Sequence, residues 1–187
     1  MRIIAGRFRG RQLASFGSSI RPTTDRLREA LFNVLGDRVQ GSIWLDLFAG
    51  TGAVGLEALS RGAARVVFND RDRQAIKLLR KNLDRMGVSD EGTVTVFERD
   101  AFVLLRNPPE DLRLDFVFLD PPYEFPRYRK LLERTAGSSA MGPETEVILE
   151  VSRRTPADFL PSGWEVVREV GAGDSVHLLL RRRLPEP

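Results

Sequence analysis

Residues 114–119, LDFVFL, are apolar but for one aspartate, and the run stops abruptly at Asp120-Pro121-Pro122-Tyr123. Its length and its aromatic and β-branched content read as a strand covered on both faces, the condition of a central strand in a parallel sheet, and this places the chain among α/β folds. In open α/β sheets ligands bind beyond the carboxyl ends of the strands, so Asp120 and Tyr123 should stand at the mouth of a site. Pro121 and Pro122 remove two backbone donors and fix φ. The result is a stiff loop whose carbonyls, that of Pro121 included, can accept hydrogen bonds. An acceptor carboxylate, acceptor carbonyls and an aromatic face together suit a flat ring that carries an amine.

The same arrangement recurs upstream. SIWLDLFAGTGAVGLEALSRG, residues 42–62, reads as strand, glycine turn and helix, with Asp46 closing the strand and Gly50 and Gly52 permitting a tight turn close to a ligand. AARVVFND brings a second strand to Asp70, twenty-four residues after Asp46, where a ribose-binding acid is expected in a nucleotide-binding βαβ unit; Asp70 can equally cap the helix that starts near Arg71. That helix runs from Arg71 to Met86, with Ile76, Leu79, Leu83 and Met86 on one stripe. TVTVFERD adds a third strand with Asp100 at its carboxyl end, so with Asp120 four strands end in acids. Unlike the dinucleotide fingerprint, DLFAGTG carries an acid four residues before its first glycine, which suits a cationic ligand better than a pyrophosphate.

Before and after this block the pattern continues. RPTTDRLREALFNVLG, residues 21–36, predicts a helix capped by Thr23 or Thr24 with Leu27, Leu31, Val34 and Leu35 on its apolar face. Its RPTT start, with Arg21 and Thr23, can bind an anion such as a carboxylate or phosphate, or serve as a cap alone. Residues 126–136 read as a helix, 144–151 as a strand, and GWEVVREVG with SVHLLLRRR as a closing pair of strands. His177, the single histidine, has no second ligand candidate nearby and is assigned a structural role. No metal site is expected.

Charge separates the amino terminus from the rest. Residues 1–40 hold Arg2, Arg7, Arg9, Arg11, Arg21, Arg26, Arg28 and Arg38 against Asp25, Glu29 and Asp37, a net +5 in a chain whose total is +3. A basic arm on a nearly neutral body points to a polyanionic partner. Within residues 1–20 we expect a small hairpin, in which Phe8 either stacks on a base between Arg7 and Arg9 or anchors the arm to the body. The chain has no cysteine, which excludes disulfides and thiolate metal sites. No apolar run matches a membrane span and MRIIAGRFRGR lacks the apolar core of a signal peptide, so a cytoplasmic protein is expected.

DLFAGTG resembles the first motif of S-adenosylmethionine-dependent methyltransferases, and DPPY the fourth motif of those that methylate exocyclic amines. Taken in order, RIIAGRFRGR, RPTTDRLREALFN, DLFAGTGAVGLEALSRGA and FVFLDPPY resemble the RsmD family of bacterial 16S ribosomal RNA guanine-N2 methyltransferases. The resemblance is densest over residues 2–123. It implies a Rossmann-like class I methyltransferase fold, α/β, with a central, mostly parallel seven-stranded sheet flanked by helices and a small N-terminal hairpin arm. The arm would be residues 1–20 and the methyltransferase domain residues 21–187.

The resemblance also implies roles. Asp46, Phe48 and the Gly50 and Gly52 backbone would face the methionine part of S-adenosylmethionine, with Thr23 contributing from the RPTT loop. Asp70 would hold the ribose hydroxyls, and Asp100 with Ala101 the adenine. Asp120, Pro121, Pro122 and Tyr123 would grip the target base, and Arg7, Arg9, Arg11 and Arg21 would bind RNA. The expected substrate is a guanine of 16S rRNA, within the 30S subunit or an assembly intermediate, and the expected state is a monomer. Two alternatives are a DNA adenine-N6 methyltransferase and a non-catalytic RNA-binding protein that retains the fold.

Overall fold

The computed structural model describes residues 1–15, 22–89, 92–122 and 125–183, with the backbone alone at residues 22–24 and 157. Seven strands form one sheet: β1 (Ile43–Asp46), β2 (Arg65–Asp70), β3 (Val94–Glu98), β4 (Leu114–Leu119), β5 (Met141–Ser152), β6 (Trp164–Ala172) and β7 (Ser175–Arg182). Their order is β3-β2-β1-β4-β5-β7-β6. The first five run parallel, and β7 lies antiparallel between β5 and β6. The sheet is therefore mostly parallel, as the resemblance implies.

Among the described residues five α-helices cover it: α1 (Pro22–Leu35), α2 (Ala53–Ser60), α3 (Arg73–Met86), α4 (Ala101–Arg106) and α5 (Tyr128–Ala136). The continuous apolar strands are explained by two cores. Trp44, Val66, Phe68, Phe116 and Phe118 face Leu31, Phe32, Leu56, Leu59 and Leu79 of α1, α2 and α3, while Leu45, Val67, Val117 and Leu119 face Leu104, Leu105, Leu131 and Leu132 of α4 and α5. β1, β2 and β4 thus alternate between two dry faces, so almost no polar side of the alternation survives in their sequences.

Two helix starts differ from expectation. α1 begins at Pro22, so Thr23 and Thr24 lie inside its first turn rather than before it; proline is well suited to that first position because it has no N–H to leave unpaired. At α3 the cap is Asp72, whose carboxylate accepts from the N–H groups of Gln74 at 2.6 Å and Ala75 at 3.3 Å. α4 was not expected as a helix; Asp100 caps it, accepting from Phe102 N–H at 2.9 Å.

The amino-terminal arm is fastened into the first core. Its pairing is short, one antiparallel bridge between Arg2 and Gln12 supported by Ile3 N–H to Arg11 C=O at 3.0 Å. Ile3, Phe8 and Leu13 are buried in that core. Phe8 is the anchor and not a base-stacking platform, since only 6% of it is exposed. Glu57 on α2, fully buried, accepts from Ile4 N–H at 2.8 Å and Ala5 N–H at 3.1 Å and pairs with Arg61 at 2.7 Å. Among the described residues no helix is long and apolar enough to cross a membrane.

Candidate active site

The carboxyl ends of β1 to β4 lie side by side in the sheet, and each hands the chain to an acid: Asp46 and Asp70 are the last residues of β1 and β2, while Asp100 and Asp120 follow β3 and β4. Above that edge lies a cavity of about 340 Å³, lined among others by Gly50, Asp70, Asp100, Asp120, Pro121 and Pro122. One space therefore joins the glycine turn to the proline corner. Its size falls within the roughly 300–1,000 Å³ of small-molecule sites.

The glycine turn is held from beneath. Gly50 N–H donates to Asp70 Oδ2 at 2.9 Å, and Asp70 Oδ1 accepts from Asp72 N–H at 2.9 Å. Asp70 therefore braces the turn and the start of α3 and is not the α3 cap, yet each of its oxygens keeps a second lone pair for a ligand hydroxyl. Gly52 adopts φ +79°, and a Cβ there would stand 2.3 Å from Leu79 Cδ1, so a larger residue strains the backbone and makes Leu79 shift. Asn69, buried beside Asp70, ties the ends of neighbouring strands by donating to the carbonyls of Leu47 at 3.0 Å and Arg99 at 3.1 Å. Its Oδ1 has no hydrogen-bond partner among the described residues, and the residue lines the cavity.

The strand-end acids crowd one another here, although Arg71, Arg99 and Arg127 also line the cavity. Asp46 is buried, and loss of water raises its pKa to about 7; the Gly55 N–H bonded to it at 3.1 Å pulls the other way, and the Asp70 charge adds to the rise. Asp120 is exposed to the cavity, but the protein packed around its carboxyl withholds bulk water. That desolvation first, then the charges of Glu150 and Asp46, raise its pKa well above the ordinary carboxylate range. Among the described residues Asp46, Asp70 and Asp120 form no salt bridge. Such a set is complementary to a ligand that carries positive charge.

Of the residues expected to hold the cofactor, Phe48, Gly50, Asp70, Asp100 and Ala101 line the cavity. Asp46 and Gly52 are not among the lining residues; the first is bonded to Gly55 in α2 and the second precedes that helix. Asp100 Oδ1 is spent on capping α4, which leaves its other oxygen for a ligand. Tyr123 and Arg21 lie outside the described residues, as does the side chain of Thr23. Of the arm arginines, Arg9 is exposed, Arg7 lies 4.4 Å over the Phe8 ring, and Arg11 donates to the carbonyls of Arg85 and Met86 at the end of α3.

Sequence reasoning missed Asn69, Arg71, Arg99, Phe102, Phe125 and Arg127 in the lining. Arg71, Arg99 and Phe102 each stand within two residues of a strand-end acid, a positional signal that would have found them. Glu150 was missed as well. It follows the buried run Thr145–Leu149 of β5 and shares a 2.9 Å hydrogen bond with His177 Nε2, which gives His177 a partner inside the sheet. Among the described residues no group of three or more His, Cys, Asp or Glu could hold a metal ion.

Comparison with known proteins places this geometry. A family model described as Conserved hypothetical protein 95 matches residues 1–181. Ribosomal RNA small subunit methyltransferase D of Haemophilus influenzae is 35% identical over 174 residues, 92% of this chain and 89% of that protein. The protein of the same name from Escherichia coli K12 is 36% identical over 189 residues, 97% of this chain and 90% of its own. The solved structure of Escherichia coli yhhF superposes with a TM-score of 0.81 at 31% identity, covering 98% of each chain. The chain, with the Rossmann-like methyltransferase fold, belongs to the Conserved hypothetical protein 95 family, the RsmD family of the sequence resemblance.

Proposed function

We propose that this protein transfers a methyl group from S-adenosylmethionine to the exocyclic N2 amine of a guanine in 16S ribosomal RNA of the small subunit. The observation that carries the reading is the single cavity running from the Gly50 turn to the Asp120-Pro121 corner over a row of strand-end carboxylates. Relatives across most of the chain bear the name ribosomal RNA small subunit methyltransferase D, which supports rRNA as the substrate class.

The residues present fit that cofactor. Asp70 offers lone pairs for ribose hydroxyls, Asp100 a free carboxylate oxygen for the adenine amine, and Phe48 and Ala101 apolar walls. S-adenosylmethionine, when bound, supplies a methyl on a positively charged sulfur, and that charge offsets the mutual repulsion of the acids. The chain's own work is alignment. An exocyclic amine is a weak nucleophile because its lone pair is delocalised into the ring. Hydrogen bonds from the amine to Asp120 and to the Pro121 carbonyl draw its hydrogens to one side and free the lone pair on the other. Positive charge then grows on the amine nitrogen, and the Asp120 carboxylate stabilises it where bulk water is excluded. Held ionised by the positive charge of the bound cofactor, Asp120 only accepts, which matches the adjacent N1–H and N2–H donors of guanine better than the donor–acceptor edge of adenine.

Incubation of the purified protein with labelled S-adenosylmethionine and, separately, naked 16S rRNA, 30S particles and DNA tests the reading. Label should enter RNA or 30S particles and elute as N2-methylguanosine after digestion. Label in DNA as N6-methyladenine, or no binding of S-adenosylhomocysteine, overturns it.

A further inference from the structure

The cavity does not end at the proline corner. Arg127, which lines it, also lines a second hollow of about 470 Å³ with Arg129, Lys130 and Arg134 of α5, together with Pro126 and Glu133. The four cations are exposed, and among the described residues none forms a salt bridge, even with Glu133 on the same face. Aromatic rings hold two of them at the rim without neutralising them: the Arg127 guanidinium lies 5.0 Å from the Phe102 ring centre and 5.5 Å from that of Phe125, and Lys130 Nζ lies 5.8 Å from Phe102. Arg129 is braced by a 2.5 Å bond to the carbonyl of Asp158. Three of these cations crowd the amino-terminal turn of α5, where there is no acidic residue and no capping side chain. The helix dipole disfavours that placement, and a bound anion relieves it.

A base that reacts in a closed pocket has to leave its stack, and its own phosphates then lie across the mouth of that pocket. We infer that the cation-rich face of α5 holds the sugar–phosphate backbone of the RNA strand carrying the target base, at the rim of the cavity that receives the base. The inference rests on the rRNA reading above and adds the surface that positions the strand.

The test compares wild type with the triple variant Arg129→Ala, Lys130→Ala, Arg134→Ala, leaving Arg127 in place because it lines the cavity. RNA affinity is measured by filter binding across a range of salt, methyl transfer with labelled cofactor, and S-adenosylhomocysteine affinity by calorimetry. With three phosphates no longer neutralised, the slope of log affinity against log salt should become shallower by about 2, and KM for RNA should rise about tenfold or more. The S-adenosylhomocysteine affinity should stay as in wild type. Should the triple variant misfold, the single reversals Arg129→Glu, Lys130→Glu and Arg134→Glu are read for the same slope, each expected to flatten it by about 1. A slope and KM equal to wild type in folded variants overturn the inference alone. Wild type that neither binds nor methylates RNA overturns the reading on which it stands.

Discussion

Glu57→Gln should loosen the amino-terminal arm without releasing it. The carboxylate is fully buried and serves four donors: the amides of Ile4 and Ala5 at 2.8 and 3.1 Å, Arg61 Nε at 2.7 Å and, more distantly, Arg28 Nε at 3.8 Å. A glutamine keeps one acceptor oxygen but turns an NH₂ toward groups that are all donors, and it leaves Arg61 without its counter-charge and Arg28 with Asp25 alone, at 3.0 Å. Breaking a buried pair in this way costs about 3–5 kcal/mol. Against that stand Ile3, Phe8 and Leu13, at most 6% exposed, each contributing roughly 1.5–3 kcal/mol by burial. The apolar anchors together outweigh the carboxylate, so the arm stays docked most of the time but opens more often. Native-state hydrogen exchange reads this directly: the amides of Ile4 and Ala5 should exchange faster by roughly a hundredfold to a few thousandfold, at tenfold per 1.4 kcal/mol. Urea denaturation should show a matching loss of stability. Unchanged exchange at these two amides, with stability within about 0.5 kcal/mol of wild type, would refute the assignment of Glu57 as the clasp.

Asp120→Asn should lower methyl transfer by about 10²–10³-fold while S-adenosylhomocysteine affinity stays within a few fold, since one preorganised charge beside the amine is removed; full turnover removes Asp120 from the chemistry. Asp46, with its pKa raised from 3.8 to about 7, makes the folded chain bind more protons than the unfolded chain between those values. Its contribution to stability therefore falls as pH rises through that window and stays low above it. Asp46→Asn, whose amide oxygen can still accept from Gly55, should be more stable than wild type near pH 8 and lose that advantage near pH 4. Equal effects at the two pH values in urea titrations would count against a neutral, buried Asp46. Gly52→Ala and Gly50→Ala both force a left-handed φ, +79° and +54°, but only at Gly52 does the new Cβ meet a neighbour, Leu79 Cδ1 at 2.3 Å. Both should lose about 1–2 kcal/mol for the backbone, and Gly52→Ala about 1–3 kcal/mol more for overpacking; equal losses in chemical denaturation would refute the contact.

The sheet was legible because its strands are bounded sharply. LDFVFL ends in two prolines, and SIWLD and AARVVFND end in acids followed by helix-forming sequence, so element order and the direction of the binding edge could be read from the chain alone. The stripe Ile76, Leu79, Leu83 and Met86 was legible for the same reason, a clear helical period on a half-exposed helix, and all four are buried. α4 was not, because AFVLLR is six residues of nearly unbroken apolar character, too short to separate helix from strand by period. Its cap, Asp100, had been read only as a ligand. The rim of the cavity was the least legible part: Arg127 comes to Phe102 from a different crossover, and nothing in local sequence links residues that meet only through the fold.

Asp70 illustrates how closely fold and site are joined. Its two oxygens already hold Gly50 on one side and Asp72 on the other, and the reading proposed above asks the same oxygens to receive a ribose. Truncating this side chain would then slacken the bend between β1 and α2 and remove a docking point in one stroke, so lost affinity in such a variant reports both together. Conversely, a nucleoside settling on that carboxylate stiffens the scaffold beneath it, and protection of the Gly50 and Asp72 amides becomes a gauge of occupancy.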